Sequence, residues 1–176
     1  MIKKIVMYGL AFGSLSAAML YIQFANGLYR ERTFLSALPV IANIVLPGIG
    51  VFLFIKSLSN MRTDKPINMG RALFGSLLVC LVVAICNIGV YQHVMFNRKD
   101  IVQDVRNLNY SMIESNFNQD TTLTAANKTE KITTAKNNFD LNISVSSFGR
   151  TQFMMCLSTG MVVALITFLG NSRRQK

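Results

Sequence analysis

The sequence predicts an all-α fold: an integral membrane four-helix bundle with an extramembrane helical hairpin between spans 3 and 4. Four long runs, at about 5–25, 34–55, 72–96 and 153–170, contain no Asp, Glu, Lys or Arg. An α-helix rises about 1.5 Å per residue, so roughly 20 apolar residues cross the hydrocarbon of a bilayer. The runs are apolar on all sides, whereas helices in the core of a soluble protein normally keep a polar face. Mean hydropathy is +0.38 and charged residues are 15%, which also favours the membrane class.

The first run begins after Lys3 and Lys4, an opening that cleavable signal peptides share. It continues to Ala25, beyond a usual signal core, and no small-x-small cleavage site follows, so we expect a retained span. Small residues recur every four positions on one face of this helix: Gly9, Gly13 and Ala17. Such faces let helices approach closely in lipid, so we expect this one to pack against another span.

The second run, from Phe34 to Ile55, contains Pro39 and Pro47. Proline removes a backbone donor and clashes with the preceding turn, so the stretch Pro47-Gly48-Ile49-Gly50 predicts a kink. A bent packing helix is the preferred interpretation, and a transporter hinge is the alternative.

The third run, from Ala72 to Phe96, follows a basic connection in which Asn68 is placed to cap the helix. No Gly or Pro interrupts the chain from Asn97 to Phe117. We therefore expect this helix to continue beyond the membrane into water.

The polar region 97–149 is expected to form a helical hairpin. Apolar residues at spacings of four, three and four mark one face of its first helix: Ile101, Val105, Leu108 and Met112. The range Asn127 to Asp140 repeats the pattern more weakly, and the linker 117–127 is rich in turn-forming residues. An irregular return is expected over 142–149. The fourth run, 153–170, is the shortest, and it contains a second small-xxx-small pair at Gly160 and Ala164.

Basic residues near the ends of the runs predict the orientation. With four spans, both termini and the connection between spans 2 and 3 share one side, where nine bases face one acid, Asp64. The bases are Lys3, Lys4, Lys56, Arg62, Lys65, Arg71, Arg173, Arg174 and Lys176. Bases in short segments favour the cytoplasmic side, so we expect cytoplasmic termini and an extracytoplasmic region 97–149.

The net charge of +10 does not indicate nucleic acid as a partner. The bases lie mostly at the ends of the runs, where they meet lipid head groups, and no aromatic-basic alternation of the base-stacking kind occurs. The predicted partner is the lipid bilayer.

The order of features from Lys56 onward resembles a known arrangement. A basic loop is followed by INMGRALFGSLL at the start of the third span, a helical excursion and a final span that ends in basic residues. This order resembles an uncharacterised family of small four-span membrane proteins, mainly from Bacteroidetes, catalogued only as a domain of unknown function. The resemblance covers most of the chain, implies a bacterial inner membrane and supplies no activity.

Signatures of soluble enzymes are missing from the sequence: a Gly-rich phosphate loop, an H-E-x-x-H motif, and Ser-His-Asp or Cys-His sets that the topology brings together. We therefore expect no catalytic residue and no cofactor. The cysteines Cys80, Cys86 and Cys156 lie within runs and indicate neither a disulfide nor a metal site. The single histidine, His93, lies beside Tyr91 and is interpreted as an interfacial anchor rather than a proton relay.

Polar residues within the runs form the candidate site. Asn43 and Asn87 each lie nine residues from the outer end of their span, and Ser158 and Thr159 come within about one turn of that depth. The preferred hypothesis is that these residues pack the helices of a non-enzymatic protein, whose hairpin contacts a membrane or periplasmic protein, the membrane surface or a second copy. The alternative is a small transporter or channel-like protein that uses them as a polar site in the outer half of the membrane.

Overall fold

Six α-helices and one 3₁₀ turn make up this computed structural model, which describes residues 1–30, 34–59, 68–122 and 124–173 without the side chains of 34–36, 38–40 and 171–173. The helices are α1 (Ile2–Ala25), α2 (Phe34–Ser59), α3 (Met69–Asn97), α4 (Lys99–Gln119), α5 (Ala125–Asn142) and α6 (Val145–Arg173), and the turn is Leu28–Arg30. No strand occurs within these ranges, so the predicted all-α class is confirmed.

Four of these helices, α1, α2, α3 and α6, are long and apolar enough to cross a membrane. They pack side by side: α1 and α6 each contact both α2 and α3, and α2 also contacts α3. The buried interior is apolar and is drawn from all four helices: Ile5, Val51, Phe54, Ile55, Val79, Val83, Cys156 and Ala164.

The small-residue faces lie where helices approach most closely. A Cβ atom placed on Gly9 of α1 would lie 2.7 Å from Cβ of Val82 in α3, and one on Gly13 would lie 2.9 Å from Sγ of Cys86. A Cβ on Gly160 of α6 would collide with Sγ of Cys80 in α3. Only glycine allows these backbones to come so near, so the prediction that these faces pack is confirmed.

The two ends of the helical group differ in what covers them. At the end that carries the N-terminus, here called the termini end, Nζ of Lys4 donates to the carbonyl of Ser57 at 3.0 Å. The opposite end, here called the hairpin end, is covered by α4 and α5, which pack against each other as the predicted hairpin. The predicted cap of α3 is present, because Oδ1 of Asn68 accepts from N–H of Gly70 at 2.9 Å.

The expectation that the third helix continues into water is wrong. α3 ends at Asn97, Arg98 leaves the helical conformation at φ −115° and ψ 59°, and α4 begins at Lys99. The turn lets the apolar side chain of Ile101 become buried, with 6% of it exposed. A straight continuation would have carried this side chain into water, so burial overrides the helical propensity of the sequence.

The expectation of an irregular return over 142–149 is also wrong. α5 ends at Asn142 and α6 begins at Val145, so α6 has 29 residues, against the 18 predicted for the fourth span. The sequence prediction followed the apolar run alone, whereas the polar turns before it are helical as well.

Several predicted features lie wholly or partly outside the described residues. These are the side chain of Pro39, most of the connection between α2 and α3, and the basic end of the chain after Arg173. Pro47 lies within α2 and is fully buried.

Candidate functional site

A buried polar cluster joins three of the apolar helices. Nδ2 of Asn87 in α3 donates to Oδ1 of Asn43 in α2 at 3.2 Å, so the two predicted amides do come together. Ser16 of α1 completes the cluster: its hydroxyl donates to Oδ1 of Asn43 at 2.5 Å and accepts from Nδ2 of Asn87 at 3.0 Å. We call these three residues the amide triad.

Ser16 was missed in the sequence, although a signal for it was present. It lies nine residues from Ala25 at the end of α1, the same distance that drew attention to Asn43 and Asn87 in their spans. It also lies three residues after Gly13, on the face where α1 approaches α3. The small face therefore brings a hydroxyl within reach of the two amides.

The amide triad is closed off and uncharged. Ser16 and Asn87 are 0% exposed and Asn43 is 6% exposed. Oδ1 of Asn87 is buried and has no hydrogen-bond partner among the described residues. Hydrogen bonds between membrane helices contribute about 0.6 kcal/mol each, so the triad is suited to fixing the positions of α1, α2 and α3.

Ser158 and Thr159 lie apart from the triad. Ser158 is exposed and Thr159 is half-buried, with its methyl carbon 3.4 Å from where a Cβ on Gly48 would lie. The helical period explains this position, because α6 turns Cys156 and Gly160 towards the interior and Ser158 lies about 200° around the helix from each. Gln152 is the buried polar residue among the described side chains of α6, and its amide donates to Sγ of Cys156 at 3.7 Å.

The hairpin end holds a second kind of polar cluster, centred on Asp104 of α4. This carboxylate accepts from the hydroxyl of Tyr29 at 2.7 Å and from Nε of Arg30 at 2.6 Å. The hydrogen bonds from Arg30 and Tyr29 lower the pKa of Asp104 below its ordinary value. Partial burial, together with the neighbouring carboxylate, raises the pKa of Tyr29. These contacts join α4 to the turn that follows α1.

A matching cluster joins the two helices of the hairpin. Asp140 of α5 accepts from Nε of Arg106 at 2.9 Å and from the hydroxyl of Tyr110 at 2.6 Å. One turn further on, Lys136 pairs with Glu114, and its Nζ lies 4.9 Å from the centre of the Tyr110 ring. The hydrogen bond to Asp140 raises the pKa of Tyr110.

The base of the hairpin is fixed by Tyr91 of α3. Its hydroxyl donates to the carbonyl of Ile143 at 2.6 Å, and its ring stacks on Phe148 of α6 with centres 3.9 Å apart. Phe24 of α1 packs against the same ring at 5.9 Å. Three helices and the link between α5 and α6 therefore meet at one aromatic side chain. His93, two residues away, is exposed, and its Nδ1 lies 3.1 Å from Nδ2 of Asn97.

The outer surface of the hairpin carries a shallow groove of about 450 Å³. Four of its lining residues, Asn127, Lys131, Thr134 and Asn138, follow the spacing of one stripe along α5, and Phe117 of α4 lies beside them. The groove presents amide, hydroxyl and charged groups together.

Taken together, these features define a class: all-helical chains with four helices long and apolar enough to cross a membrane, capped at one end by a fixed helical hairpin. Comparison with protein-family models, with curated proteins and with solved structures finds no match for this chain.

Proposed function

We propose that this chain is a non-enzymatic integral membrane protein of the bacterial inner membrane, a four-helix bundle whose α4–α5 hairpin is an extracytoplasmic contact surface for a protein partner. The observation that carries the proposal is the attachment of the hairpin. Asp104 ties it to the turn after α1, Tyr91 ties its base to α3, and Asp140 holds its two helices together.

A hairpin that is already ordered is suited to binding, because it loses little further conformational entropy when a partner binds. Association normally loses free energy through ordering of side chains and loops at the interface. Here the ion pairs and the stacked aromatic rings already order the two helices. A linker that served only to join α3 to α6 would need none of these contacts.

The composition of the hairpin surface favours a protein partner over the membrane surface. Within 98–122 and 124–144, the large apolar side chain that stands exposed is Leu141, at the base, with 69% of it exposed. A helix that lies in a membrane interface needs a broad apolar face. The hairpin instead offers the groove lined by Asn127, Lys131 and Asn138, whose side chains can form hydrogen bonds in water.

The amide triad supports a packing role for the polar residues within the spans. Three hydrogen bonds join its members to one another, and two of the three members are fully enclosed. A transport pathway requires polar groups that a solute can reach, so the small-transporter alternative gains no support from this cluster.

Photo-crosslinking in whole cells tests the contact surface. A photoreactive amino acid at Lys131 or Asn138, on the groove stripe, is expected to give an adduct of defined mass that identifies the partner. The matched control is Thr133, which is exposed on the same helix but lies about 200° around it from Lys131. Equal yields at Lys131 and Thr133, or no adduct at either groove position, would contradict the proposal, and an adduct of twice the chain mass would identify the partner as a second copy.

The proposed orientation has a test of its own. The charge bias predicts that a cytoplasm-active reporter fused after residue 176 is active and that the same reporter inserted near Thr122 is silent. The opposite pattern would place the hairpin in the cytoplasm.

A further inference from the structure

A long groove runs between α2 and α6 towards the termini end of the molecule. Its volume is about 830 Å³, and most of its lining is apolar. Its lining includes Ile44, Gly48, Phe52 and Lys56 of α2 and Val163 of α6. The bottom of the groove lies where Gly48 of α2 approaches α6. A Cβ atom placed on Gly48 would lie 3.3 Å from Cγ2 of Val163.

The length of the groove matches one leaflet of a bilayer. Ile44 and Lys56 are twelve residues apart on α2, which corresponds to about 18 Å along the helix. One leaflet contributes about half of a hydrocarbon core that is roughly 30 Å thick. Both walls belong to helices that are apolar and long enough to cross a membrane, so under the proposed function the medium that fills the groove is lipid rather than water.

One end of the groove carries a cationic group, the only one among its described lining residues. Lys56 lines the groove and is exposed, and no carboxylate of the described residues forms an ion pair with it. The position is close to the boundary of the span, because α2 ends at Ser59. A lysine at this depth reaches the level of lipid head groups with its ammonium while its methylene stem lies along apolar surface.

We propose that this groove binds one anionic glycerophospholipid, with an acyl chain lying against Gly48 and Val163 and the phosphate held by Lys56. The apolar walls match the chain, the length matches one leaflet, and the ammonium group matches the charge of the head group. The inference rests on the membrane placement in the proposed function but not on the hairpin or its partner.

A second copy of the chain fits the groove less well. Copies that share one orientation are related by a two-fold axis along the membrane normal, so equivalent residues lie at equal depth. An interface centred on this groove would bring two Lys56 ammonium groups towards the same axis at the level of the head groups, where like charges repel each other.

The absence of tryptophan from the chain makes a direct test possible. The full chain carrying Phe52→Trp has a single tryptophan, at the edge of the groove, where Phe52 is 44% exposed. This variant is reconstituted into vesicles that contain increasing fractions of phosphatidylcholine or phosphatidylglycerol brominated on the acyl chains. The quenching of its tryptophan emission is then measured. We expect the brominated anionic lipid to bind about fivefold more tightly at this site, the factor that one base contributes near a membrane surface.

Charge variants separate a specific site from general attraction. Lys56→Gln in the Phe52→Trp background is expected to remove the preference for the anionic lipid, and Lys56→Arg is expected to keep it. Lys3→Gln, which removes an exposed charge at the same end but outside the groove, is the matched control and should leave the preference unchanged. Equal losses for Lys56→Gln and Lys3→Gln would overturn the proposal.

A second reporter separates failure of the inference from failure of the membrane placement. Phe74 of α3 is 58% exposed and lies next to Gly75, which packs on the Phe54 ring two residues from Phe52. Brominated lipid should quench Phe74→Trp in any membrane-embedded form of the chain. Quenching at Phe74→Trp without quenching at Phe52→Trp, together with crosslinked dimers, would assign the groove to a second copy and overturn the lipid proposal. No quenching at either position would overturn the membrane placement itself, and the lipid site with it.

Discussion

The two kinds of polar cluster in this molecule differ in the chemical groups that form them. The amide triad of Ser16, Asn43 and Asn87 lies among apolar side chains and contains only neutral groups. The clusters at the hairpin end, centred on Asp104 and Asp140, contain carboxylates paired with arginine and tyrosine and are partly open to solvent.

The difference follows from the cost of burying charge. A neutral amide with partners can be buried at modest cost, whereas an ionised group in hydrocarbon costs several times more and is retained only for a function. At the hairpin end, contact with water lowers the cost of holding an ionised group, and the ion pairs fix the relative positions of the helices. We therefore expect the triad to be insensitive to pH and the hairpin attachment to respond to it.

The largest effect is expected where the triad depends on close approach of the backbones. In Gly13→Leu the new side chain meets Sγ of Cys86 and the backbone of Val83, with contacts of 2.9 and 3.2 Å already at its Cβ. Overpacking of this kind costs about 1–3 kcal/mol and should separate Ser16 from Asn87. The measurement is thermal unfolding in detergent micelles followed by circular dichroism.

Gly89→Leu is the matched control for this substitution. Gly89 also lies within a long helix, α3, but a Cβ placed on it would have no neighbouring atom within 4 Å, so the leucine has open space. It should change the unfolding temperature little. Comparable losses for the two variants would show that the loss in Gly13→Leu does not arise from the α1–α3 contact, since leucine has the better helix propensity at both positions.

The next effect distinguishes the two amides within the triad. Oδ1 of Asn43 accepts from both Ser16 and Asn87, so Asn43→Leu leaves buried donors without their acceptor and should cost about 2 kcal/mol. Asn87→Leu removes two hydrogen bonds but also removes a buried oxygen that has no partner in the described part of the chain, and should be nearly neutral. The free energies of unfolding of the two variants, measured under one condition, decide the order. A larger loss for Asn87→Leu would show that its amide has a role which these hydrogen bonds do not describe.

The sequence predicted the features that depend on composition and period. The four apolar helices, the small faces at Gly9 and Gly160, and the pairing of Asn43 with Asn87 follow from rules that act along one helix or at one depth. The hairpin was predicted for the same reason, since its apolar residues recur at helical spacing.

The errors arose where tertiary contacts decide the outcome. The break at Arg98 depends on burial of Ile101, which no local signal in the sequence requires. Ser158 matched the depth of the triad but does not face it. The contact of Gly160 with Cys80 sets the rotation of α6 about its axis and leaves Ser158 exposed. The ion pairs Arg30–Asp104 and Arg106–Asp140 join residues 74 and 34 positions apart, and pairing at such distances cannot be read from one sequence.

A smaller effect is expected at the base of the hairpin. Tyr91→Phe keeps the ring that stacks on Phe148 but removes the hydroxyl that donates to the carbonyl of Ile143. One hydrogen bond of this kind contributes about 1 kcal/mol. We expect faster amide hydrogen exchange in α5, where the attachment is weakened, and unchanged exchange near the triad. Faster exchange throughout α1 and α3 would contradict the separation of the two regions.

The smallest effect, and the one that tests the comparison most directly, is the response to acid. The pKa of Asp104 is lowered in the folded protein from its ordinary value of 3.8, so its contribution to stability is complete above that value and is lost as the pH falls through the lowered pKa. The difference in unfolding temperature between the wild type and Asp104→Asn should be constant from pH 8 to pH 5 and should shrink below about pH 4. Asn43→Leu contains no titrating group at the altered site, so its difference from the wild type should not change over the same range. A difference for Asp104→Asn that persists unchanged at low pH would mean that the hydroxyl of Tyr29 and the shape of the contact, rather than the charge of Asp104, attach the hairpin.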